Sequence, residues 1–106
     1  MATLHLMVGL PCSGKTTRAL GLEVEEDALR LNLDEWHIHL LGQDADDPRH
    51  DARHMRIEEM LWTIASRALK LGVNVILDYG LWAREEREEY RARAERLGTT
   101  SEIHFM

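Results

Sequence analysis

The stretch Gly9-Leu10-Pro11-Cys12-Ser13-Gly14-Lys15-Thr16 fits the pattern G-x-x-x-x-G-K-[ST]. Two glycines let the backbone curl so that successive N–H groups point inward around a phosphate. A helix opening near Lys15 aims the positive end of its dipole at the same point. Lys15 can then reach the β- and γ-phosphates as a point charge, while Thr16 offers its hydroxyl to Mg²⁺. The expectation is a seat for ATP and Mg²⁺ built from Gly9, Pro11, Cys12, Ser13, Gly14, Lys15, Thr16 and Thr17. Cys12 reads as the occupant of a variable loop position.

Two carboxylates follow apolar runs. Val75-Ile76-Leu77-Asp78 is a strand ending in Asp, the Walker B arrangement, which places Asp78 beside Thr16 as a second group for Mg²⁺ or its water. Leu31-Asn32-Leu33-Asp34 has the same form. Asp34 reads as a helix N-cap, and also as the base or orienting group for an acceptor hydroxyl. In open α/β sheets ligands bind outside the carboxyl ends of the strands, where Lys15, Asp34 and Asp78 should all lie. Arg84 falls within a turn of the Asp78 strand, and its planar fork suits phosphate.

Other side chains carry weaker signals. His50 and His54 are four apart on a helical stretch, but the run His-Asp-Ala-Arg-His lacks the Glu of H-E-x-x-H. They read as solvated surface histidines. His37 and His39, two apart, do not share a helix face. Trp36 and Trp82 follow the two acids and could wall an acceptor pocket, whereas Trp62 reads as packing. No N-K-x-D stretch favours guanine.

These residues need elements to hold them. Leu4 to Val8 reads as a buried strand, Lys15 to Leu20 as a helix capped by Gly21, and Ala28 to Leu33 as a second strand. Asp34 to Leu41 is a short helix ended by Gly42. Asp47-Pro48 opens a long helix to about Leu71, with Ile57, Leu61, Ile64, Ala68 and Leu71 on its apolar face. Val73 to Leu77 is a third strand, followed by a turn at Tyr79-Gly80. Ala83 to Leu97 is a charged helix with Glu85, Glu89 and Arg93 at i,i+4 spacing, and Ser101 to Met106 is a fourth strand. Such alternation predicts right-handed βαβ units and a parallel sheet, hence an α/β fold.

The chain has 106 residues, 44% hydrophobic and 30% charged, which suits one globular domain. No apolar run reaches the length of a membrane span, and no leader pattern opens the chain. A single cysteine cannot staple a secreted scaffold. A cytoplasmic location is therefore expected. The net charge of -6 argues against a nucleic-acid backbone as main partner.

With the phosphate loop, Asn32-Leu33-Asp34-Glu35-Trp36 and Leu77-Asp78-Tyr79-Gly80-Leu81-Trp82-Ala83-Arg84 resemble the small ATP-binding P-loop kinases that carry an AAA-type domain label, similar to polynucleotide kinase, zeta toxins and chloramphenicol phosphotransferase. The resemblance implies a three-layer P-loop NTPase core on a mostly parallel sheet of about four strands, ordered second, third, first, fourth. It implies ATP-dependent phosphorylation of a hydroxyl on a small-molecule or nucleotide acceptor, with Asp34 acting on the acceptor and Arg84 or Arg87 near the phosphates. Three departures stand out. His37 follows Trp36 where relatives often carry Arg, and Ala83 replaces the usual Ser or Thr cap. Relatives also continue past the fourth strand with an arginine-bearing lid, a further strand and the groove for the base, so residues 1–106 are expected to lack that C-terminal part. The alternative expectation is a non-catalytic nucleotide-binding fragment that acts through self-association or a partner, since the fourth strand would leave an open edge.

Overall fold

The computed structural model describes residues 2–9, 14–81 and 83–105. Its strands are β1 (Thr3–Val8), β2 (Leu29–Leu31), β3 (Val75–Gly80) and β4 (Thr100–Phe105). Its helices are α1 (Lys15–Glu26), α2 (Leu33–Leu41), α3 (His50–Lys70) and α4 (Arg84–Arg96). The four strands form one parallel sheet in the order β2-β3-β1-β4. This is the expected order, with the phosphate-loop strand inside the sheet.

Alternation along the strands decides which layer each side chain joins. Leu4, Leu6 and Val8 of β1 and Val75 and Leu77 of β3 bury against Ile57, Leu61, Ala65 and Leu69 of α3 and Tyr90 and Ala94 of α4. Met7 and Ile76 face the other way and pack with Ala19 and Leu22 of α1 and with Ala28. Helices thus cover both faces, as a parallel sheet demands. β1 and β3 pair with Leu4 opposite Val75 and Leu6 opposite Leu77, then slip before Val8 meets Gly80. At that exit Gly80 has φ +87, and a Cβ there would stand 3.4 Å from the Gly9 carbonyl oxygen. A glycine is what lets the two strand ends close so tightly.

Several boundaries differ from expectation. α1 runs through Gly21 to Glu26 and is capped by Asp27 at φ 49. A mid-helix glycine costs about 1 kcal/mol, and burial of Ala19 and Leu22 on the sheet offsets it. Asn32, not Asp34, caps α2, its side chain accepting the Glu35 N–H at 2.9 Å. α3 begins at His50 after a turn in which Asp47 accepts the Arg49 N–H at 2.8 Å, so Pro48 belongs to the turn. Its buried face uses Ala65 and Leu69, while Leu71 is exposed. β3 continues to Gly80, which puts Asp78 inside the strand rather than at its end. Ala83 does leave α4 without a side-chain cap, and Arg93 pairs with Glu89 at 3.1 Å as the spacing suggested. The expected strand residue Met106 lies outside the described residues.

Candidate nucleotide and acceptor site

β1 delivers the chain to Gly9, and Gly14 returns it at φ 89 to open α1. Among the described residues no side chain caps this helix, and no acidic residue stands in its first turn. The backbone N–H groups of the first turn therefore have no intrahelical partner, and the dipole favours an anion there. Pro11, Cys12 and Ser13, expected to line the seat, lie outside the described residues. Gly9, Gly14, Lys15, Thr16 and Thr17 stand where the pattern placed them, at the junction of β1 and α1.

Lys15 and Asp78 come together: Lys15 Nζ donates to Asp78 Oδ1 at 2.5 Å. Asp78 is wholly buried and Lys15 nearly so. A third residue completes the group. Arg30 of β2 donates to Asp78 Oδ2 through Nε at 3.1 Å and Nη2 at 2.8 Å, and Asn32 Nδ2 adds a longer contact at 3.3 Å. Burial raises the Asp78 carboxyl pKa, but hydrogen bonds from Lys15 and Arg30 and the Lys15 charge outweigh it and hold the group below its ordinary value. Arg30 also reaches Glu35 Oε2 at 2.5 Å.

Arg30 is absent from the residues expected at the site. A lone arginine in the three-residue strand Leu-Arg-Leu is the signal that could have marked it. β2 pairs with β3 with Arg30 opposite Ile76, and this register brings its guanidinium to Asp78, two residues on.

Asp34 does not join this group. It is exposed on the first turn of α2, and its Oδ1 stands 3.7 Å from His54 Nε2. It shares a cleft of about 310 Å³ with His37, Asp44, His50 and His54. Trp36 lines a neighbouring cleft of about 530 Å³ with Glu35, Ile38, His39 and Leu40. Arg84 is exposed at the start of α4. Asp34 and Arg84 thus follow the carboxyl ends of β2 and β3, on the rim where ligands of such sheets bind. Arg87 instead donates to the Leu81 carbonyl at 3.1 Å and lies over Phe105. Trp82 is outside the described residues, and Trp62 packs, as expected, 5.6 Å from Tyr90.

His50 and His54 are not solvated surface groups. They converge with His37 of α2, which is almost fully buried. Asp44 Oδ1 lies 2.5 Å from His37 Nε2 and 2.6 Å from His50 Nδ1, and Oδ2 accepts from Arg53 at 3.1 Å. The hydrogen bond from His50 leads in holding the Asp44 carboxyl far below its usual range. This convergence is invisible along the chain, because His37 is 17 residues from His54 and meets it only when α2 folds back on α3.

The profile of the AAA domain family matches residues 4–106. No curated protein matches the chain. Among solved structures, one titled "putative kinase from chloroflexus aurantiacus j-10-fl" is 20% identical, with a TM-score of 0.77 over 98% of this chain and 58% of its own. A chain of the Pnkp1/Rnl/Hen1 complex is 25% identical, with a TM-score of 0.77 over 99% of this chain and 34% of its own. The chain thus spans just over half the length of the first of these structures and a third of the second. Among the described residues no helix is long and apolar enough to cross a membrane.

Proposed function

The chain belongs to the AAA domain family and has a P-loop kinase-like nucleotide-binding fold, and from that premise we propose that it binds ATP with Mg²⁺ and transfers the γ-phosphate to a hydroxyl on a small-molecule or nucleotide acceptor in the cytoplasm. The observation that carries this reading is Lys15, held against Asp78 on the first turn of α1. A helix start with a lysine and no acid in its first turn suits a polyphosphate. Thr16 and Asp78 would hold Mg²⁺, whose chemistry is to neutralise charge on the phosphates.

Each residue has a separate task. Lys15 exchanges Asp78 for phosphate oxygens, while Arg30 keeps the carboxylate fixed on its other oxygen. Asp34 orients the acceptor hydroxyl and takes its proton, and its exposure leaves it open to a ligand arriving from solvent. Arg84 supplies a cation at the rim. Trp36 and its cleft offer an apolar wall for the acceptor.

Calorimetry with Mg-ATP tests the first step. The native chain should bind and Lys15→Ala should not, with thermal melting used to establish that the variant is folded. Equal affinity for both would remove the loop from the reading. Binding without phosphate transfer to any of a panel of hydroxyl acceptors would leave a nucleotide-binding protein and remove the kinase step.

A further inference from the structure

We propose that His37, His50 and His54 form a site for one divalent transition-metal ion of the zinc class. One ring nitrogen of each lies within 4.8 Å of those of the other two. Two helices supply them, α2 one and α3 two, and the i,i+4 spacing puts His50 and His54 on one face of α3. Three imidazoles are the ligand count of an open zinc site, whose fourth position takes water or another molecule. The cleft of about 310 Å³ lined by Asp34, Asp44 and these histidines leaves room for it.

The hydrogen bonds set the rings up as ligands. Asp44 Oδ1 faces His37 Nε2 and His50 Nδ1. A carboxylate only accepts, so both nitrogens carry protons. The opposite nitrogen of each ring, His37 Nδ1 and His50 Nε2, is then the one left to ligate a metal. A carboxylate bracing a ligating histidine through its far N–H is the usual support around a metal. Asp44 itself is held by Arg53.

His37 Nδ1 and His54 Nδ1 face each other at 3.0 Å. Two lone pairs cannot sit so close, so a proton lies between them, donated by His54. Two nitrogens bound to one tetrahedral zinc would be separated by about 3.3 Å, given Zn–N bonds of about 2.0–2.1 Å. An ion bound by both rings would displace that proton to His54 Nε2, 3.7 Å from Asp34 Oδ1, with a small turn of the rings toward it. Nitrogen donors select this class of ion over Mg²⁺ or Ca²⁺, which prefer oxygen. An anion is disfavoured, because the Asp44 carboxylate lies against His37 and His50.

The site borders Asp34 but its test needs no nucleotide, and it is run on the whole chain with metal alone. Cobalt(II) titration should give one equivalent bound, with the visible bands of a tetrahedral complex, displaced by zinc(II). His50→Ala and His54→Ala should each abolish those bands. Both residues are partly exposed, so these variants should fold, whereas buried His37 is left intact. Asp44→Asn should weaken binding about 10- to 100-fold. His39→Ala, on an exposed position of α2, and His104→Ala, in the separate His5–Glu102–His104 group, should leave cobalt binding as it is. Three results would overturn the proposal. They are no stoichiometric binding, binding that survives His50→Ala but not His104→Ala, and inorganic phosphate taken up at these histidines in place of metal.

Discussion

Arg30 grips Asp78 through two hydrogen bonds to one oxygen, Nε at 3.1 Å and Nη2 at 2.8 Å, and leaves the other oxygen to Lys15. One buried carboxylate thereby ties β2, β3 and the start of α1 together. Its two cationic partners do different work. Lys15 must be able to leave if it is to meet phosphate, whereas Arg30 has no such demand.

Arg30→Met should therefore be a structural lesion. Removing one partner of a buried ion pair costs about 3–5 kcal/mol. Lys15 remains on Asp78, so the lower end, about 3 kcal/mol, is expected. Urea unfolding measures it. A loss below about 1 kcal/mol would mean that Lys15 alone satisfies the carboxylate.

Asp34→Asn should behave otherwise. Asp34 is exposed and outside the Asp78 group, so stability and Mg-ATP affinity should hold. Turnover should fall by roughly 100- to 10,000-fold, the usual worth of a positioned base. Unchanged kcat in steady-state phosphate transfer would take the acceptor role away from Asp34.

The contrast between these two residues shows what could be read in advance. Asp34 and Asp78 look alike in one dimension, each an Asp after an apolar run. The sheet separates them, because Asp78 continues a buried strand and Asp34 sits on the first turn of a helix capped by Asn32. The parallel sheet was legible from βα alternation, whereas the strand order came with the resemblance to small P-loop kinases. Arg30 was not, since its partner is 48 residues away. Nor was the convergence of His37 on His50 and His54, which depends on how the turn at 42–49 folds α2 back on α3. The extension of α1 past Gly21 was hidden for a different reason: tertiary burial overrode a local propensity.

Stability should fall with pH in two stages. His104 is held below its ordinary value, first by burial and then by the neighbouring His5, with Glu102 opposing. A depressed histidine takes up a proton on unfolding, so stability present above about pH 6.5 is lost as pH drops through the folded-state value. Asp78 and Asp44 are depressed carboxyls, and their contribution is present above about pH 4 and lost below it. Melting temperature against pH reads both stages. His104→Gln should flatten the upper one and leave the lower one in place.

The last prediction concerns the sheet edge. β4 pairs with β1 on one side and with no described strand on the other. Its residues alternate, and Phe105 is 69% exposed at its end. Open N–H and C=O groups template pairing with another chain, and an exposed aromatic beside them adds apolar area to any such contact. Charges on the strand are the usual defence, and Glu102 supplies one of them. Arg87 lies over the Phe105 ring at 5.5 Å, a partial cover that leaves most of it in water. The 106-residue chain should therefore associate with itself as its concentration rises. Sedimentation velocity should show a mass that grows with concentration, and Phe105→Lys should hold the chain as a monomer by adding a charge where the edges would meet. A native chain that stays monomeric across the same range, with Phe105→Lys indistinguishable from it, would show that the edge is protected by its own side chains.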